Sequence, residues 1–192
     1  MTREAGGGAV GTTPIEAALL ENWALAYLAR YASSTENLRR VLKRRARRRL
    51  GLADRDGIRA ADALIDALVA RYGDAQLLDD AAYAAGRARR DLTRGRSLAQ
   101  IKSGLAAKGV GGEAAEAAIA ALCEGTTDPE LAAAIAFARR RRLGPFHGDP
   151  PGDPQTRRQR ELAAFARAGF SRGSAEAVLA CPDPEAVAAL LA

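Results

Sequence analysis

Few side chains in this 192-residue sequence are spaced for bond chemistry. Asp79 and Asp80 form the one carboxylate pair that invites an acid–base reading, and no histidine or nucleophile accompanies them. Adjacent acids at a helix start ordinarily cap exposed N–H groups and favour the positive end of the helix dipole, and the pair is read that way. His147, the single histidine, lies in a Gly/Pro-rich stretch between Phe146 and Gly148 with no partner to orient it, so it reads as a solvated loop residue. Cys123 and Cys181 are far apart and lack a CxxC spacing, which serves zinc poorly. They are expected as reduced cytosolic thiols, packed as small hydrophobes. Phosphate-loop, nucleophile-elbow and dinucleotide-binding glycine patterns are missing. No catalytic residue, metal, cofactor or small-molecule substrate is expected.

What the sequence has in abundance is positive charge. It carries 29 basic and 23 acidic residues, a net +6, with an isoelectric point near 9.9. Such an excess favours a polyanion or an acidic protein surface through long-range, salt-sensitive attraction. Arg39, Arg40, Lys43, Arg44, Arg45, Arg47, Arg48 and Arg49 put eight cations within 11 residues. At 100° per residue they wrap every side of a helix except a Leu38–Leu42–Ala46 stripe. Like charges four apart, such as Arg40 and Arg44, repel by a few tenths of a kcal/mol each, about the cost of an unfavourable helix pair. Helices that tolerate this often meet phosphates, whose counterions are then released. The competing reading is a solvated face neutralised by Asp54, Asp56 or Asp62. A second group comprises Arg87, Arg89, Arg90, Arg94 and Arg96, with Lys102 and Lys108 one helix later. A third, Arg139 to Arg142, ends a helix, where cations stabilise the dipole locally. Aromatics are only 5% of the chain, too sparse for base-stacking platforms, so backbone phosphates or acidic protein patches are the better targets.

The elements that must carry these groups are helices. Alanine supplies much of the 48% apolar content, and β-branched or aromatic runs are absent. Met1 to Thr13 is glycine-rich and reads as a disordered tail, neither signal peptide nor anchor. Apolar stretches are too short to span a bilayer, so the expectation is a soluble, cytoplasmic chain without membrane contact. Ile15, Leu19, Trp23, Tyr27 and Tyr31 form one apolar stripe read as core. Ser33 with Glu36, and Ser97 with Gln100, are read as capping boxes. A helix over 58–72 is placed inward through Ile58, Ala61, Leu64, Ile65 and Leu68. Another runs through Tyr83 to Leu92, and Ile101 and Leu105 line a short one stopped by Gly109. Glu113 to Cys123 forms the next. Asp128 and Pro129 open a helix to Arg142, residues 144–155 form a Pro/Gly-rich linker, and helices resume near Thr156, Arg172 and Asp183.

An internal repeat runs through the second half. Gly109-Val110 and Gly169-Phe170 are 60 residues apart, and at that offset Leu105 corresponds to Phe165 and Ala115–Ile119 to Ala175–Leu179. The pattern predicts an all-α fold of three tandem three-helix repeats after the 1–13 tail: 14–73, 74–125 and 126–192. Each repeat buries one face on its neighbour, giving an elongated, curved body.

The stretches ALAYLARYASSTENLRRVLKRR (Ala24–Arg45), LLDDAAYA (Leu77–Ala84) and RGRSLAQIKSGLAAKGV (Arg94–Val110), with the ending FARAGF (Phe165–Phe170), resemble the RecX regulatory proteins. The resemblance covers roughly 20–181, and its most specific block is Asp79 to Gly109. Three features depart from the family's pattern. Ala168 stands where arginine or lysine is usual, the Arg44–Arg49 run is longer and more basic, and the linker at Gly144 to Asp153 is proline-rich. The resemblance implies three three-helix repeats, and binding along the groove of the RecA–DNA filament that limits its growth, strand exchange, ATPase and coprotease action. The residues expected to make that contact are Arg39, Arg40, Lys43, Arg44, Arg87, Arg90, Arg94, Arg96, Lys102 and Lys108, with a weak direct hold on DNA phosphates besides. Two other classes stay open: a nucleic-acid-binding module acting without RecA, and a helical scaffold for another acidic protein.

Overall fold

A computed structural model describes residues 15–124, 127–148 and 152–191. The 1–13 tail, and 149–151 of the 144–155 linker, lie outside the described residues. The fold is all-α: among the described residues there is no strand. The helices are α1 (Ala17–Leu28), α2 (Thr35–Leu50), α3 (Arg55–Asp74), α4 (Asp80–Thr93), α5 (Leu98–Ala106), α6 (Gly112–Glu124), α7 (Pro129–Arg141), α8 (Pro154–Arg167), α9 (Arg172–Ala180) and α10 (Pro184–Ala189), with a 3-10 turn at Gly144–Phe146. None of them is long and apolar enough to cross a membrane.

The described residues divide into two compact units, which meet in sequence between Leu78 and Asp79. In the first, the i, i+4 stripe Leu38–Leu42–Ala46–Leu50 of α2 is fully buried against Leu20 and Trp23 of α1 and Ala61, Ile65, Leu68 and Val69 of α3. Truncating Leu38 or Leu42 there would remove roughly 2–5 kcal/mol, the usual cost of a buried Leu→Ala. Two residues depart from the inward positions read in the sequence, and one cap shifts by a residue. Leu64 is exposed, because α3 meets its partners along Ala61, Ile65 and Leu68. Tyr31 is exposed, because α1 stops at Leu28 and the stripe ends with the helix. Ser34, not Ser33, is the N-cap of α2: its hydroxyl accepts from the Asn37 N–H at 3.1 Å. Ser33 instead accepts from the Asn37 side-chain amide, which also donates to the Tyr27 hydroxyl.

The second unit holds two cores. One joins Ala84 and Ala88 of α4, Ile101 and Leu105 of α5, and Ala115, Ala118 and Leu122 of α6. The other gathers Ala133, Ala134 and Ala138 of α7 around Phe137, Phe165 and Phe170, whose ring centroids lie 5.1–5.6 Å apart. Leu92 packs on both. Polar ties reinforce the join: the Leu98 N–H donates to the Glu130 carboxylate at 2.9 Å, and the buried Ser97 hydroxyl donates to the Ala168 carbonyl at 2.7 Å. The same Ser97 oxygen caps α5 by accepting from the Gln100 N–H.

The 60-residue repeat is a repeated corner. α5 and α8 both end in a left-handed glycine, Gly109 at φ +77° and Gly169 at φ +76°. In each, the residue right after the glycine returns its N–H to the helix, Val110 to the Leu105 carbonyl and Phe170 to the Phe165 carbonyl, while the glycine N–H donates to Ala106 or Ala166. This Schellman pattern needs a positive φ that only glycine adopts cheaply, and its apolar clasp is Leu105–Val110 in one copy and Phe165–Phe170 in the other.

Candidate functional site

The arginine-rich face of α2 is built by its own apolar stripe, which fixes the cations outward. Several of them are then tied down from the side. Glu36, in the first turn, receives Arg39 at 2.5 Å and Arg40 at 2.9 Å. Asp66 of α3 receives both Arg39 and Lys43 at 3.0 Å, and Asp62 receives Arg47 at 3.4 Å. The hydrogen bond from Arg39 holds the Glu36 carboxyl below its ordinary value despite partial burial, with Arg40 adding to it. Partial burial pushes Asp66 upward, but the hydrogen bonds and charges of Lys43 and Arg39 outweigh it and leave that carboxyl lowered. The Arg45 guanidinium lies 4.3 Å from the centroid of the Trp23 ring. Arg44, Arg48 and Arg49 are exposed and meet no carboxylate among the described residues. The neutralising acids are thus Glu36, Asp66 and Asp62. Of the others expected in that role, Asp54 caps α3 through the Gly57 N–H and Asp56 pairs with Arg59.

The second group is organised around a buried carboxylate. Asp91 of α4 has a side chain only 6% exposed, with Arg87 at 3.6 Å and Arg96 at 3.7 Å. These are ion pairs longer than hydrogen bonds, and Asp91 Oδ2 and Arg87 Nε have no hydrogen-bond partner. Arg89, Arg90 and Arg94 project from the end of α4, exposed and without a carboxylate partner among the described residues. Lys102 pairs with Glu116 at 2.5 Å, and Lys108 is partly buried at the end of α5. The ten cations expected to act together therefore fall into two sets, one in each unit: Arg39, Arg40, Lys43 and Arg44 on α2, and the other six on α4, α5 and their connection.

The third cluster works locally. Arg139 lies 5.4 Å from the Phe146 ring and Arg141 6.0 Å from Phe137, while Arg142 ends α7 in a left-handed conformation. Arg140 does something the sequence did not announce. Its guanidinium donates to the Arg94 carbonyl and, with Arg96 and Arg167, borders a cleft of about 660 Å³ beside α5. Arg167, in the last turn of α8, carries no sequence signal of its own; the Gly169 corner puts it on the same cleft as Arg96.

The groups considered for chemistry have structural positions. Asp79 caps α4 by accepting from the Ala82 N–H at 2.8 Å. The His147 ring Nδ1 lies 2.7 Å from the Gly148 carbonyl. Cys181 packs against the phenylalanine core as expected, whereas Cys123 is exposed, because α6 turns Ala118 and Leu122 inward and leaves position 123 on the outer face. Among the described residues no cluster of His, Cys, Asp or Glu is arranged to hold a metal. What the arrangement can do is hold anions.

No protein-family model matches the sequence. Among characterised proteins, the chain is 41% identical over 162 residues to the regulatory protein RecX of Myxococcus xanthus, covering 83% of each chain. It is 33% identical over 165 residues to the regulatory protein RecX of Agrobacterium fabrum, covering 86% of this chain and 84% of the other.

Proposed function

Because this chain belongs to the RecX regulatory protein family, we propose that it binds RecA and its filament on DNA and restrains RecA's recombinase, ATPase and coprotease activities, without catalysing a reaction itself. The observation that carries the reading is the 41% identity over most of both chains. Its physical support is the charge left over after internal pairing: Arg44, Arg48 and Arg49 on α2, and Arg89, Arg90 and Arg94 on α4. These groups are exposed and have no carboxylate partner among the described residues, so an anionic nucleoprotein surface gains attraction without first breaking an ion pair.

The test is RecA's DNA-dependent ATPase and filament disassembly on single-stranded DNA, with and without the protein. Wild type is expected to slow the ATPase and shorten filaments. The variant R90E/R94E is expected to need about tenfold more protein for the same inhibition, the change given by roughly 1.4 kcal/mol of lost attraction, with an unchanged helical CD spectrum. Arg96 is left intact because it faces the buried Asp91. Wild-type inhibition that survives the double reversal rejects this surface; a wild type without effect on RecA rejects the reading.

A second reading, nucleic-acid binding without RecA, is favoured by the arginine-bordered cleft beside α5. It predicts salt-sensitive oligonucleotide binding by the protein alone.

A further inference from the structure

We propose that the cleft bordered by Arg96, Arg140 and Arg167 in the second unit is a seat for the backbone phosphates of a nucleic-acid strand. The proposal deepens the reading above, on which it rests for the identity of the polyanion.

Three features of the cleft argue for phosphate. The first is charge: one arginine each from α7, α8 and the α4–α5 connection lines the cleft, and no carboxylate does. Arg167 has no ion-pair partner among the described residues. The second is preorganisation. Asp91 lies 3.7 Å from Arg96 on the side away from solvent, and Arg140 donates to the Arg94 carbonyl, so each fork has one fixed neighbour before an anion arrives. The walls are fixed as well, since the Ser97–Ala168 hydrogen bond ties the start of α5 to the Gly169 corner. The third is the floor. Gly104 lacks a side chain where an added Cβ would lie 3.9 Å from guanidinium nitrogens of both Arg87 and Arg96, so α5 is bare under the cations. Exposed Ser103 and Gln100 add a hydroxyl and an amide, neutral donors suited to phosphate oxygens.

The lining also decides what is held. It contains no aromatic ring, so bases cannot stack, and the contact falls on the backbone. Its apolar lining is limited to the small side chains Ala99 and Ala107, which give a peptide no recess to anchor a large side chain, and its planar guanidinium forks bind phosphate oxygens bidentately.

The experiment is fluorescence anisotropy of a labelled 20-nucleotide oligothymidylate with the full chain at several salt concentrations. The variants are R167E, S103E, R167K and, as a control of equal charge change, R59E, whose arginine is 84% exposed in the first unit. R167E and S103E are each expected to weaken binding about tenfold or more, R59E by less than threefold, and R167K to keep most of it. The slope of log K against log salt should become shallower by about one for R167E, the loss of one phosphate contact. Both exchanges sit at exposed positions, so S103E decides the matter if R167E does not fold. The proposal is overturned if R59E weakens binding as much as R167E, if R167E and S103E bind like wild type, or if an oligoglutamate of equal charge competes as well as unlabelled oligothymidylate. RecA ATPase inhibition by wild type is read in parallel. Its absence alongside cleft-dependent oligonucleotide binding would sink the family-based reading and leave the cleft standing.

Discussion

Each unit has a carboxylate that serves two cations, Asp66 in the first and Asp91 in the second, and the two solve the same problem differently. Asp66 receives Arg39 and Lys43 with a side chain 49% exposed, whereas Asp91 sits between Arg87 and Arg96 at 6% exposed. On α2 and α3 the pairs lie at the surface, where water screens them and each contributes little. On α4 the acid is taken out of water, its two arginines are its chief compensation, and it sets where Arg96 points. The first unit uses carboxylates to quiet a crowded basic helix; the second uses one to aim a cation.

Removing each hub tests the contrast. Asp91→Ala leaves two guanidiniums facing a buried gap, and loss should approach the lower end of the roughly 3–5 kcal/mol that breaking a buried pair costs, since Arg87 and Arg96 keep some solvent. Chemical denaturation followed by far-UV CD reads it; a loss below about 1 kcal/mol would erase the difference between the hubs.

The serine caps give a smaller version. Ser97→Ala removes both the α5 cap and the bond to Ala168, a cost of about 2–3 kcal/mol from a lost cap plus a stranded buried carbonyl. Ser34→Ala in the first unit should cost about 1 kcal/mol, the typical cap value, by the same measurement. Equal losses would show that the bond across the second unit contributes nothing.

The smallest effect belongs to Asp66→Ala, at roughly 0–1 kcal/mol, as expected of an exposed pair. Its signature is in pH. Glu36 and Asp66 have folded carboxyls below their ordinary values, so their stabilisation is present above about pH 4–5 and is lost as pH falls through the folded values. The double variant Glu36→Gln/Asp66→Asn should flatten the acid side of the melting temperature against pH, and a profile identical to wild type would contradict the role given to these pairs.

Legibility in the sequence followed the range of the interactions. The Leu38–Leu42–Ala46 stripe, the aspartate caps at 79, 128 and 183, and the glycine stops at 109 and 169 depend on neighbours within about four residues, and they stand where the spacing put them. Choosing Ser34 over Ser33 turned on which hydroxyl faces the Asn37 N–H and which its side chain, a choice the capping-box pattern does not contain. The pairing of Arg39 and Lys43 with Asp66 spans 27 and 23 residues, and is set by how α2 lies on α3. Arg167 is the extreme case: an ordinary helix-end arginine in sequence, it lines the same cleft as Arg96 because the Gly169 turn lies against Ser97.

Trp23 is the only indole in the chain, and it lies under the Arg45 guanidinium in the first unit. Its ultraviolet emission therefore watches the α2 face alone, while the α5 cleft is dark at that wavelength. An oligonucleotide that draws Arg45 off the ring changes the colour or yield of that light, and one seated only beside Arg167 leaves it unaltered. The molecule thus carries, without any added dye, an optical means of telling which of its two basic regions a partner has touched.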